Sequence, residues 1–109
     1  MPSATQSLLQ IAGAPLNPSP LDKSALVIID AQLEYVSGKL PLAGIDAAIL
    51  EAAKLLALAR KSGVPVFHIV QHAPAGRPLF AEDSPTAAIV PLLTPAAGEI
   101  VLRKALPNA

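Results

Sequence analysis

Two short apolar runs that each end abruptly in a charge constrain the fold more than any other feature of this chain. The first, Ser24-Ala25-Leu26-Val27-Ile28-Ile29, stops at Asp30, and the second, Glu99-Ile100-Val101-Leu102-Arg103, stops at Lys104. A short, continuous, β-branched stretch is how a strand buried on both faces of a parallel sheet reads. In open parallel α/β sheets, ligands bind outside the carboxyl ends of the strands. One acid and one base are therefore expected at the edge where such folds do their chemistry.

The segments between these runs are consistent with that sheet. Strand 1 is expected over about Ala25–Ile29, followed by a loop containing Gly38, Pro41 and Gly44 and a helix from about Ile45 to Ser62. Its apolar stripe, Ile45, Ile49, Ala52, Leu56 and Ala59, has the i, i+4, i+7 spacing of a buried helical face. Asp46 in the first turn and Arg60 and Lys61 in the last suit the helix dipole, and Gly63 is placed as a left-handed cap. Strand 2 is read as Val64–Val70, with Pro65 tolerated at a strand start. The stretch from Gln71 to Ala97 is a polar, proline-bearing crossover. Within it, Ser84-Pro85 reads as an N-cap with proline at N1, opening a short helix through Val90, which Pro91 ends. Strand 3 is expected over Glu99–Leu102. Residues 1–20, with four prolines, read as an extended arm in which Ser7–Ile11 can form one helical turn.

This order predicts an α/β fold, a Rossmann-like parallel sheet flanked by helices. Only one long helix is available to cover two sheet faces, so the architecture is expected to be incomplete. A mean hydropathy of +0.52, with 15% charged residues among 109, excludes disorder and suggests that a partner subunit or a missing half of the domain covers part of the chain. Charges at Asp30, Glu51, Lys54 and Arg60 break the apolar runs before the roughly 20 residues a bilayer requires. The eight basic and eight acidic residues are unclustered, which removes the main electrostatic term of nucleic-acid binding. There is no cysteine, hence no disulfide or thiolate metal site, and a cytoplasmic location is expected. The first ten residues lack the basic start of a secretory signal.

The segment Val27-Ile28-Ile29-Asp30-Ala31-Gln32-Leu33-Glu34-Tyr35 resembles the opening of the isochorismatase-like cysteine hydrolases: an apolar strand, Asp, any residue, Gln, two more, and an aromatic. Ala59-Arg60-Lys61-Ser62-Gly63-Val64-Pro65-Val66 resembles the helix that leads through Gly and Pro into that family's second strand. Ile100 to Ala109 resembles the third strand and its lysine. The resemblance covers residues 24–109 and implies a three-layer α/β/α domain, with residues 21–109 its N-terminal half. It also implies a catalytic triad of Asp, Lys and Cys, with Asp30 as general base for the thiol and Lys104 as the cation steadying the anionic groups. The Cys would lie further along, outside these residues. Elementary chemistry agrees with those roles: the thiolate is the nucleophile, a carboxylate can take its proton, and an ammonium favours both anions.

Each site residue also has a plainer role. Asp30 can cap the turn after its strand, and Lys104 can be a solvated lysine, with Arg103 a rival for its charge. Gln32, Tyr35 and His72 are candidate substrate contacts; alternatively Gln32 bonds its own loop and Tyr35 packs in the core. His68 is expected to be a satisfied sheet histidine, and Glu82-Asp83 a solvated acidic pair. Where nicotinamidase-like members of the family carry metal-binding Asp and His, this chain reads Gln71-His72-Ala73-Pro74, so neither a metal nor another cofactor is expected.

Three functional classes follow. The leading one is a hydrolase of a small molecule, cleaving an amide, a related C–N or a vinyl-ether bond. The second is a non-catalytic truncated module that pairs with another chain, either the missing C-terminal half or a second copy in a homo-oligomer. The third, a phosphoacceptor, lacks its acidic cluster, because Asp30-Ala31-Gln32 is not Asp-x-Asp; no glycine-rich phosphate loop is present either.

Overall fold

The computed structural model describes residues 4–108. Met1, Pro2 and Ser3 of the expected arm and Ala109 at the end of the third family segment lie outside the described residues. A one-turn helix, α1 (Leu8–Ile11), is capped reciprocally by Ser7 and Gln10. The arm leads into β1 (Leu26–Ile29), helix α2 (Ile45–Lys61), β2 (Val66–Gln71) and β3 (Ile100–Lys104). The strands form one parallel sheet in the order β1-β2-β3, so β2 is central.

Helix α2 forms where its periodicity places it. Ile49, Leu56 and Ala59 are buried, and with Val64, Val66, Val90 and Leu93 they make the core, against which Leu26 and Ile28 pack. Gly63 ends the helix at φ +70°, a conformation costly for any residue with a Cβ.

Register assigns the two faces. Leu26 pairs with Val66 and Ile28 with His68, so these residues face α2. Val27, Ile29, Ile100 and Leu102 lie on the opposite face with Phe67 and Ile69. The four on the flanking strands are 45–50% exposed, in line with one long helix serving two sheet faces. The described residues build the sheet and the layer on one side of it, and no helix among them covers the other side.

Three element boundaries also differ from expectation. β2 begins at Val66, because Val64 still donates its N–H to Ala59 at the helix end and Pro65 has no N–H to give. β3 runs on through Lys104, since β2 extends to Gln71 and pairs with it there. The helix expected from Ser84 to Val90 is only a 3₁₀ turn, Pro85–Ala87, with a second at Pro91–Leu93. Backbone bonds from Leu33 N–H to Ala88 and from Val90 N–H to Ala31 divert residues 88–90 to the loop after β1, so no helix can propagate through them. No helix among the described residues is long and apolar enough to cross a membrane.

Candidate active site

Asp30 and Lys104 come from the two outer strands and meet over the carboxyl end of the central one. Asp30 follows β1 directly and donates its N–H to the Ile69 carbonyl at 2.8 Å. Its backbone then turns left-handed, at φ +58°, a region that Asp enters more readily than most residues. Lys104 Nζ donates to Asp30 Oδ2 at 3.2 Å and to the Pro107 carbonyl at 2.6 Å. The two side chains are 21% and 11% exposed. Asp30 Oδ1 is buried with no hydrogen-bond partner. The carboxylate therefore has one oxygen engaged by an ammonium and a second available to accept a proton.

Asp30 opens onto a mainly apolar hollow of about 430 Å³, bounded by Ile28, Tyr35, Leu42, Ile45 and Ala48. Tyr35 stacks at a tilt on Phe80, with ring centroids 5.4 Å apart. Burial, and then the charges of Asp30 and Glu34, push the Tyr35 phenol above its ordinary value.

The three expected substrate contacts have separate environments. Tyr35 lines the hollow. Gln32 borders it too but is 1% exposed, and its amide is committed to backbone: Nε2 donates to the carbonyls of Gln71 and Ala87, and Oε1 accepts the Gln71 N–H. His72 lines a different hollow, with Val70, Ala87 and Arg103, and not the one that holds Asp30. Arg103 pairs with Val70, one residue before the Gln71–Lys104 pair, and so faces the α2 side of the sheet.

Two further carboxylates were not evident from the sequence. Glu34 is 2% exposed and accepts N–H bonds from Phe80 and Lys39, each at 2.9 Å. Those bonds hold its carboxyl below the ordinary range despite burial, and they tie the crossover to the loop after β1. The one available signal was Gly38, four residues on, where any Cβ would overlap Glu34. Glu99 accepts two bonds from Arg60, one from the Ala96 N–H and one from His68 Nε2. Chiefly through Arg60, its carboxyl is held well below the usual range. His68 is thus satisfied at one nitrogen, while its Nδ1 is buried without a partner. Glu82 and Asp83 are exposed, as expected. Among the described residues, no three His, Cys, Asp or Glu side chains gather as metal ligands.

A model of the isochorismatase domain matches residues 24–109. The chain belongs to the isochorismatase family. It is 39% identical over 103 residues to the secreted isochorismatase effector Isc1 of Verticillium dahliae, covering 94% of this chain and 54% of that relative. It is 36% identical over 104 residues to maleamate amidohydrolase of Pseudomonas putida, covering 80% of this chain and 48% of the enzyme. Among solved structures, an isochorismatase from Pseudomonas putida KT2440 superposes with a TM-score of 0.80 at 37% identity, over 96% of this chain and 54% of that one. The three parallel strands and their helix are thus part of an isochorismatase-like α/β fold, and the chain spans about half the length of the relatives it matches.

Proposed function

We propose that this chain supplies the acid–base half of a hydrolytic centre that cleaves an amide, a related C–N or a vinyl-ether bond in a small molecule. The observation that carries the reading is the Asp30–Lys104 contact, with Asp30 Oδ1 unpartnered and Asp30 among the residues lining an apolar hollow. In this reading a Cys outside these residues supplies the nucleophile. Asp30 takes the thiol proton, the thiolate attacks the substrate carbon, and Asp30 returns the proton to the leaving nitrogen or oxygen. With an amide this leaves a thioester, to which water adds while the thiol is released and the acid forms; with a vinyl ether the leaving group is the alcohol and the intermediate is not an acyl-enzyme. Lys104 lowers the energy of the carboxylate and of the thiolate beside it. The name of the relative that acts on maleamate makes small amides the first substrates to try.

The test is hydrolysis of a panel of small amides, maleamate included, by the complete protein and by its Asp30→Asn variant. Turnover abolished by that one substitution supports the reading; equal turnover by both proteins defeats it. The reading places the protein in the cytoplasm. Because the Verticillium relative is named as secreted, recovery of the protein from culture filtrate would reverse that placement.

A second reading, a non-catalytic module that pairs with another chain, draws on the half-exposed Val27, Ile29, Ile100 and Leu102 and on the lack of cysteine. Stable assembly without any hydrolysis would favour it.

A further inference from the structure

The side-chain amide of Gln32 completes a ladder that the backbone leaves at Asp30. In a parallel pair, each bonded residue donates to one neighbour of its partner and accepts from the other. Asp30 makes the donor half of that pattern, to the Ile69 carbonyl. The missing half would be its own carbonyl accepting the Gln71 N–H. The Asp30 carbonyl instead accepts the Gln32 N–H at 2.8 Å, and the Gln71 N–H goes to Gln32 Oε1 at 2.9 Å. Gln32 Nε2 donates back to the Gln71 carbonyl and to Ala87, both at 2.8 Å. The primary amide therefore gives Gln71 the acceptor and the donor that the Asp30 carbonyl and the Gln32 N–H would have supplied in a straight β1.

The substitution matters because of register. The residue after Ile29 falls opposite Val70, and Val70 is the partner of Arg103. Had β1 run straight, Asp30 would share the α2 face with Arg103, whereas Lys104, partnered by Gln71, faces the other way. The left-handed turn at Asp30 carries its carboxylate over to Lys104. That turn leaves the partly buried Gln71 N–H without its ladder acceptor, and a donor shielded from water and left unmet is destabilising. Without Gln32, the obvious repair is for the Asp30 carbonyl to swing back into the ladder, which would move the carboxylate away from Lys104.

We propose that Gln32 is a positioning residue that holds Asp30 in its left-handed turn and so sets the Asp30–Lys104 contact. The inference rests on the reading of that pair as catalytic.

In the complete protein, Gln32→Met keeps the side-chain length and removes both donor and acceptor. Its crystal structure is expected to show Asp30 Oδ2 and Lys104 Nζ separated by more than about 4 Å, beyond ion-pair range. With small amides, kcat is expected to fall by about 10²-fold, the scale set by misplacing a reacting group by roughly 1 Å, with KM nearly constant. Gln32→Glu supplies the control. Its carboxylic acid can accept the Gln71 N–H and donate one bond, but its carboxylate cannot donate. The ratio of variant to wild-type turnover is therefore expected to rise as pH falls. An unchanged Asp30–Lys104 distance with only a lowered Tm would overturn the proposal, as would a rise in KM at constant kcat, which would make Gln32 a substrate contact. A wild-type protein inert toward every amide, related C–N and vinyl-ether substrate would defeat the proposed function alone, because the crystal structures would still decide the positioning role.

Discussion

Lys104 Nζ stands 3.2 Å from Asp30 Oδ2, although the strands that carry the two residues never pair with each other. With neighbouring strands about 4.8 Å apart, residues on β1 and β3 are separated by two such spacings, and only side chains bent over the end of β2 can meet. The contact depends on the left-handed backbone at Asp30 and on β3 running as far as Lys104. The same geometry separates Lys104 from its neighbour: Arg103 faces the α2 side and lines the hollow of His72.

The first expected outcome concerns that distinction. In the complete protein, Asp30→Asn should lower hydrolysis of small amides by at least ~10²–10⁴-fold, the usual range for a general base, with the circular-dichroism spectrum unchanged. Lys104→Ala should be comparably damaging, because Asp30 then loses its only side-chain partner among the described residues. Arg103→Ala should change kcat/KM by less than about threefold, because its guanidinium faces away from the Asp30–Lys104 contact. Equal losses from Arg103→Ala and Lys104→Ala would show that bulk positive charge matters rather than the contact.

Much of this arrangement is legible in the sequence, for identifiable reasons. The helical stripe from Ile45 to Ala59 and the cap at Gly63 are local signals, and the structure reproduces them. Asp30 is visible because the apolar run of β1 ends at it, whereas Lys104, which lies inside β3 beside Arg103, is picked out only by the family resemblance. The roles of Gln32 and Glu34 are not local: their partners, Gln71, Ala87 and Phe80, lie 39 to 55 residues away, and no periodicity encodes such bonds. The Ser84-Pro85 signal is real as a cap. Its helix fails because residues 88–90 find better backbone partners in the loop after β1. The bare face of the sheet, in turn, could be anticipated from counting one long helix against two faces.

Acid should weaken the fold through Glu34 and Glu99. Both carboxyls sit below their reference value of 4.5, so the folded state binds their protons less readily than the unfolded state. The stability they contribute is present above the unfolded value and is lost as pH falls through the folded ones. Urea denaturation of the complete protein from pH 7 to pH 3 should therefore show stability declining below about pH 4.5. Glu34→Gln should flatten part of that decline. An acid limb of the same slope in Glu34→Gln would remove Glu34 from this account.

Glu99→Gln tests the clamp at the start of β3. A neutral amide has one acceptor oxygen in place of two, so the Arg60, His68 and Ala96 donors cannot all be met. Charge-assisted bonds contribute about 1.5–3 kcal/mol each in favourable settings, and Arg60 is partly solvated, which reduces its share. A net loss of about 1–2 kcal/mol is expected, read as a lower urea midpoint at constant m. A midpoint within error of wild type would mean that the core alone fixes β3.

The last expected outcome follows from the bare sheet face. Residues 1–109 expressed alone expose Val27, Ile29, Ile100 and Leu102 as a nearly contiguous patch, between two strand edges with unpaired backbone groups. Such surfaces associate unless covered. The isolated polypeptide should sediment as concentration-dependent oligomers or aggregates and melt over a broad range. Replacing Val27 and Leu102 by Thr, which keeps β-propensity while adding polarity, should reduce association without changing α2, as followed by helical ellipticity. A wild-type polypeptide that sediments as a monomer and melts sharply at low concentration would show that one covered face suffices. In that case the exposed strands carry no requirement for another half or another copy.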